Sequence, residues 1–177
     1  MKILAISGSG RTGSTNTAML QAVAAIARDN HQITVFAELG RLPVFTPDLE
    51  GGPLPQEVQR FVDLIRTNQA IIVSSPEYVR ALPGGLKNAI DWLVSREEII
   101  DKPIALMHAS HRGDDMLTQL RLVLSTVSQR FTADVFLRFA LMTLSPEAVA
   151  LRLSQPANRA VIQDFLEQLS RHAGDEA

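Results

Sequence analysis

The chain opens on a short run that is apolar at every position, Ile3-Leu4-Ala5-Ile6, and stops abruptly at Ser7-Gly8-Ser9-Gly10. Runs of this kind fit strands buried on both faces of a parallel sheet. From Ser14 to Arg28 the period changes: Ala18, Leu20, Val23, Ala24, Ile26 and Ala27 recur at helical spacing behind Ser14, a fitting N-cap. Gln32 to Phe36 alternates like a strand. Pro55 to Asn68 is helical again, with Val58, Phe61, Val62 and Ile65 on one face. Ala70–Val73 and Pro103–Met107 are two further buried-strand runs. Leu86–Ser95, about Asp114–Gln129 and Ala157–His172 read as helices, and Ala133–Leu141 as the fifth strand.

Three loops remain. Residues 38–55 carry four prolines and three glycines, so they hold no regular element. Residues 74–83 follow the third strand and residues 109–113 the fourth. Strand and helix thus alternate through one domain, 1–177, with no internal repeat and no low-complexity linker. Such alternation predicts an α/β fold, a parallel sheet covered by helices on both faces. Right-handed crossovers leave few windings, and 2-1-3-4-5 is the leading strand order. In that order a ligand sits beyond the carboxyl ends of the strands. The loops after strands one, three and four should converge there.

Composition narrows the chemistry. There is no cysteine, which removes disulfides, thiolate catalysis and Cys-based metal sites. Among His31, His108, His111 and His172 the one close pair, His108 and His111, straddles the end of a predicted strand, so a metal reading of it is weak. A net charge of −2 gives no pull toward nucleic acid or an anionic membrane. Met1-Lys2 runs directly into the first strand without a secretory h-region, and no apolar run approaches a membrane span. A cytoplasmic protein is expected.

The first loop, Gly8-Ser9-Gly10-Arg11-Thr12-Gly13-Ser14-Thr15-Asn16, lies between a buried strand and a helix. Backbone N–H groups and the helix dipole favour an anion at that position. Ser9, Ser14, Thr15 and Asn16 add neutral hydrogen bonds, and Arg11 a charged one. Gly8, Gly10 and Gly13 spell G-x-G-x-x-G, a weak signal by itself. No P-loop lysine is present, and Glu38 is a marginal partner for a ribose diol. A loop this rich in hydroxyls and amides suits a phosphate monoester better than a pyrophosphate. An ordinary turn capped by Ser14 fits the same letters.

The second loop is more informative. Ser74-Ser75-Pro76-Glu77-Tyr78-Val79-Arg80-Ala81-Leu82-Pro83-Gly84-Gly85 leads into Leu86-Lys87-Asn88-Ala89-Ile90-Asp91-Trp92. It holds the chain's single tyrosine, which can offer an aromatic face to a flat ring. The single tryptophan, at helical spacing with Leu93, reads as core.

These two stretches resemble the NADPH-dependent FMN reductase family, whose relatives include chromate, quinone and azo reductases. The pattern G-S-x-R-x-x-S-x-N is matched at Gly8, Ser9, Arg11, Ser14 and Asn16. The pattern P-E-Y-N-x-x-x-P-G-x-L-K-N-A-I-D-W is matched at Pro76, Glu77, Tyr78, Pro83, Gly84 and Leu86 through Trp92. The two lie about 60 residues apart, and the likeness in element order extends to about residue 130. The resemblance implies a flavodoxin-like three-layer sandwich with bound FMN. Ser9, Arg11, Ser14, Thr15 and Asn16 would hold its phosphate. Pro76, Glu77, Tyr78 and Val79 would line the isoalloxazine, with Ser110 and His111 reaching it from the third loop. Lys87, Asn88 and Asp91 look structural or oligomer-forming.

The implied activity passes hydride from NADPH or NADH through FMN to a small-molecule acceptor: a quinone, free flavin, azo compound or metal oxyanion. No acid–base dyad is needed, because the flavin carries the chemistry. A homodimer or homotetramer around the Leu86–Ser95 helix is implied, while packing of that apolar stripe on its own sheet would leave a monomer. Other readings of the same residues are an FMN-binding or electron-transfer module without NAD(P)H turnover, and a binder of another phosphate monoester.

The chain departs from the family pattern at two places. Val79 stands where members usually carry Asn, which removes a polar contact. The third loop, Ala109-Ser110-His111-Arg112-Gly113-Asp114-Asp115, replaces a longer glycine-rich run. Asp114 and Asp115 fit the first turn of the next helix. His111 and Arg112 suit an anionic dinucleotide or acidic acceptor as well as they suit a solvated loop.

Overall fold

The computed structural model describes residues 1–174. Five strands, β1 (Lys2–Ser7), β2 (Gln32–Phe36), β3 (Ala70–Ser74), β4 (Ile104–His108) and β5 (Phe131–Arg138), form one parallel sheet in the order β2-β1-β3-β4-β5. Six helices cover it: α1 (Thr15–Ala27), α2 (Gln56–Thr67), α3 (Gly84–Asp91), α4 (Asp114–Val127), α5 (Pro146–Leu153) and α6 (Pro156–Gly174). The predicted fold class and strand order are the observed ones.

Because side chains alternate across a strand, each strand feeds two cores. Leu4, Ile6, Ile71, Val73, Ile104 and Leu106 point to a layer made by α2, α3 and α4. Ile3, Ala5, Ala70, Ile72, Ala105 and Met107 point to the opposite layer of α1, α5 and α6. This two-sided demand is why the central strands read as unbroken apolar runs.

Several predicted boundaries shift. The helix expected over 86–95 is α3, Gly84–Asp91, and the strand expected over 133–141 runs from Phe131 to Arg138. One helix, α5, was not foreseen. Ser145 caps it by accepting from Ala148 N–H, Pro146 opens it, and Val149 and Leu153 bury its inner face. Residues 38–55 contain two short 3-10 turns, Leu39–Arg41 and Pro47–Leu49.

That long loop is pinned at its start and near its middle. Glu38 takes a two-pronged pair from Arg60 of α2 at 3.0 Å on each oxygen, and Arg41 Nη1 sits 2.8 Å from the same carboxylate. These guanidiniums hold the Glu38 carboxyl below its usual range, the Arg60 hydrogen bonds most of all. Glu38 therefore ties the loop to α2, which answers the ribose reading of this residue. Farther along, Asn88 Oδ1 accepts from Phe45 N–H at 2.8 Å, and Trp92 Nε1–H donates to the Pro43 carbonyl at 2.8 Å.

Candidate functional site

Three strands end side by side in buried polar residues, Ser7, Ser74 and His108. Burial of polar groups is tolerable here because most find partners. The Ser7 and Thr17 hydroxyls share a hydrogen bond of 2.7 Å, and Ser74 Oγ donates to Asn16 Oδ1 at 2.8 Å. These bonds tie the N-terminal turn of α1 to β1 and β3.

Beyond the strand ends lies an open cleft of about 400 Å³. Ser9, Arg11, Ser14, Thr15 and Asn16 line it from the first loop, Pro76, Glu77 and Tyr78 from the second, and Ala109, Ser110, Arg112 and Gly113 from the third. The three loops converge as the strand order requires. Met142 closes one side, and its sulfur accepts from Ser110 Oγ.

At the first loop the chemistry favours an anion. The first turn of α1 carries no acidic residue, so its dipole is uncompensated. Ser14 caps the helix through Thr17 N–H. Arg11 Nη2 touches only the Gly13 carbonyl, at 3.2 Å, and no carboxylate pairs with it among the described residues. With its Oδ1 accepting from Ser74, Asn16 keeps an amide N–H pair that has no protein partner among the described residues.

Glu77 lines the cleft, yet its carboxylate is committed elsewhere. Oε2 accepts from Met116 N–H at 3.0 Å. Gly113, the residue before α4, offers no side chain to cap that helix, so Glu77 does so from the neighbouring second loop.

Val79 and His111 do not line the cleft. Val79 and Arg80 sit at φ +52° and +60° at the tip of a tight hairpin turn closed by two Tyr78–Ala81 backbone bonds of 3.0 Å. Such a turn needs two left-handed residues and favours Asn-Gly. An Asn at this position would therefore suit the turn itself. Val79 is 97% exposed, so its side chain faces away from the cleft. β-Branched residues are strained at positive φ. Val79→Asn is therefore expected to stabilise the protein by about 1 kcal/mol. Urea unfolding measures this, and an unchanged or lower midpoint would show that the turn holds no such strain.

Sequence reasoning missed His108 as a site residue, having weighed it only as a metal ligand. It is 1% exposed, at the end of β4, and lines the cleft. Burial pushes its imidazole below the ordinary range, so it is neutral near pH 7. A carbonyl can only accept, so the contact between Nε2 and the Arg112 carbonyl places the proton on Nε2. Nδ1 faces the Ser75 backbone without closing a well-formed hydrogen bond. A histidine ending a run of buried apolar residues was the one available signal.

Among the described residues, no helix is long and apolar enough to cross a membrane, and no group of three or more His, Asp or Glu could hold a metal ion.

Comparison with known proteins agrees with this geometry. Over 112 residues the chain is 37% identical to an NAD(P)H-dependent FMN reductase of Pseudomonas aeruginosa, a stretch covering 62% of this chain and 60% of that one. It is 29% identical over 106 residues to a quinone reductase of Escherichia coli K12, covering 59% of this chain and 55% of the relative. The matched part thus spans less than two thirds of either relative. Among solved structures, the flavoenzyme NAD(P)H:(acceptor) oxidoreductase FerB of Paracoccus denitrificans superposes with a TM-score of 0.74 at 21% identity, covering 97% of this chain and 98% of that one. The sequence pattern of NADPH-dependent FMN reductases matches residues 1–137, from the first strand through the cleft loops and into β5, and the chain belongs to that family.

Proposed function

We propose that the protein binds FMN in this cleft and uses it as an NAD(P)H-dependent oxidoreductase, with a quinone or similar small molecule as acceptor. One observation carries the reading. At one end of the cleft the uncompensated N-terminus of α1 meets Arg11, Thr15 and the free amide of Asn16, while Pro76, Tyr78, Ala109 and Met142 give the remainder an apolar wall. That donor set fits one phosphate monoester and that wall fits a flat ring. The chain's own fold likeness and the names of its relatives agree with it.

When bound, FMN supplies reversible two-electron chemistry between a hydride donor and an acceptor. The protein's residues have other work. Arg11, Ser9, Ser14, Thr15 and Asn16 fix the phosphate and hence the register of the ring. Glu77 keeps α4 and the third loop in place through Met116, and Ser110 offers a hydroxyl at the cleft wall. No side chain has to shuttle a proton for these roles.

The test is spectroscopic. Purified protein should take up FMN, turn yellow and bleach on NADPH or NADH under anaerobic conditions, with heat-released flavin identified as FMN by mass. Release of FAD, or failure to bind flavin, would overturn the assignment; colour without bleaching would leave a carrier rather than a reductase. Arg11→Ala should weaken FMN roughly tenfold or more, the value of one charge-assisted bond, while riboflavin binds wild type and variant alike. Equal loss for both ligands would show that Arg11 serves the fold.

We also infer a homodimer or homotetramer, on altered grounds. The α3 stripe of Leu86, Ala89 and Ile90 is spent on the protein's own core, Asn88 anchors the long loop, and Lys87 pairs with Asp91. Support for self-association comes from apolar side chains that a single chain leaves to solvent, Val44, Val79 and Val94 among them. Light scattering should give two or four chain masses; one chain mass with FMN bound and turnover intact would refute it. The cytoplasm is the compartment we propose.

A further inference from the structure

We propose that Arg112 recognises the second small molecule to enter the cleft by a phosphate or carboxylate group that this molecule carries. The inference rests on the cleft being the FMN site, and it assigns a role to a residue in the loop where this chain departs most from its family pattern.

The backbone of Arg112 is fastened at both polar atoms. Its N–H donates to Ser110 Oγ at 3.0 Å, and its carbonyl accepts from Nε2–H of the buried His108. The next residue locks the arrangement. Gly113 has φ +100°, and a Cβ there would stand 2.9 Å from His108 Nε2 and 3.0 Å from Cε1. The turn is thus closed directly onto the imidazole, and it tolerates no side chain.

The guanidinium, by contrast, is unengaged. Among the described residues it makes no hydrogen bond and no ion pair. This is not for want of acidic neighbours. Asp115 is taken by Arg80 at 2.6 Å, Asp114 by Arg138, and Glu77 by the Met116 N–H at 3.0 Å. Every carboxylate around the third loop has a partner, and Arg112 is left over on a backbone that cannot swing away. A fixed backbone with a free planar fork is an arrangement suited to oxyanions.

FMN itself does not absorb this charge. It carries one phosphate, and the first loop, with its own unpaired guanidinium on Arg11, is built for it. Arg112 reaches the cleft from the third loop, after β4, beyond β3 from the loop that follows β1. It is therefore available to a different anion, borne by the hydride donor or by the acceptor. His111 beside it is exposed and lies outside the cleft lining, so Arg112 is the member of the basic pair that the geometry selects.

The test uses the full chain loaded with FMN, as wild type, Arg112→Gln and Arg112→Lys. Calorimetric titration with NADP+ and NAD+ reads donor-side binding without turnover. KM is then compared for NADPH and NADH against the uncharged donor 1-benzyl-1,4-dihydronicotinamide, and for a carboxylate-bearing quinone against a neutral one. Arg112→Gln should weaken one charged partner about tenfold or more relative to its uncharged counterpart, Arg112→Lys should recover part of the loss, and the gap should narrow with added salt. A loss that follows the dinucleotides names a donor phosphate; one that follows the acidic quinone names the acceptor. Changes equal within about twofold for the charged and uncharged members of both pairs overturn the proposal, while FMN affinity unchanged in those variants leaves the flavin reading standing. A wild type that takes up no FMN sinks the flavin reading, and this proposal with it.

Discussion

Trp92→Ala is expected to cost about 3–5 kcal/mol of stability, the range for deleting a buried large aromatic. The side chain is 1% exposed and meets Phe45 edge-on, with ring centroids 5.2 Å apart at 85°. Its Nε1–H also holds the Pro43 carbonyl at 2.8 Å, next to the Asn88 bond to the same oxygen at 3.0 Å. One substitution therefore removes core volume and releases the clamp on residues 38–55. Urea unfolding should show the loss, and limited proteolysis should nick the long loop sooner than in wild type. Trp92→Phe should fall between, because it refills part of the volume without restoring the hydrogen bond. A loss below about 1 kcal/mol for Trp92→Ala would mean that the pocket collapses around the gap.

Gly8→Ala should be the other severe change, and a comparison within one loop makes it diagnostic. A Cβ on Gly8 would stand 2.6 Å from Ser75 Oγ, 2.8 Å from Ser75 Cβ and 2.9 Å from a methyl of Leu86. Rotation of Ser75 can relieve the first contact, but not the second. Gly8 N–H is meanwhile held at 2.7 Å by the Ser74 carbonyl. The first loop must shift away from β3, which should cost about 1–3 kcal/mol and weaken FMN together with the loop. Gly10 is the control. Nothing lies within 4 Å of its hypothetical Cβ, so Gly10→Ala should stay within about 0.5 kcal/mol of wild type. Similar destabilisation by both variants, measured by thermal melts and flavin titration, would refute the steric account.

The same comparison explains why the glycine pattern was a poor guide. Gly8 is required by packing against the second loop, Gly13 sits at φ +70°, and Gly10 has neither demand. Three glycines in the letters of a dinucleotide fingerprint meet three different local conditions. The more specific signal was the pair of long motifs, since it named residues from two loops that the strand order then brought together.

Other site residues were legible by position but not by role. Glu77 was expected to line a ring; it lines the cleft, and its carboxylate also caps α4, a role visible only once Gly113 is seen to offer no cap. Val79 was expected near the ring and stands at the tip of a left-handed turn, facing away. His108 was weighed only as a metal ligand. Its role in holding the third loop depends on Arg112, four residues on, folding back over it.

Local chemistry determined much of this protein. Apolar runs without alternation dictated strands buried on both sides, the change to helical period marked the crossovers, and alternation of the two left a parallel sheet as the stable solution. These are consequences of side-chain period and hydrogen-bond saturation, so they can be read along the chain. The helix α5 was equally local in its cap, Ser145-Pro146, but its short apolar face of Val149 and Leu153 gained meaning only against α1 and α6. What the tertiary structure alone decided was how charges and hydrogen bonds were shared. Whether Glu38 binds a ribose or pairs with Arg60, whether Leu86, Ala89 and Ile90 face a partner or the core, and whether Arg112 is neutralised or left free all depend on which groups come within about 3–4 Å across the fold. Such pairings join residues far apart in sequence, and no period along the chain records them.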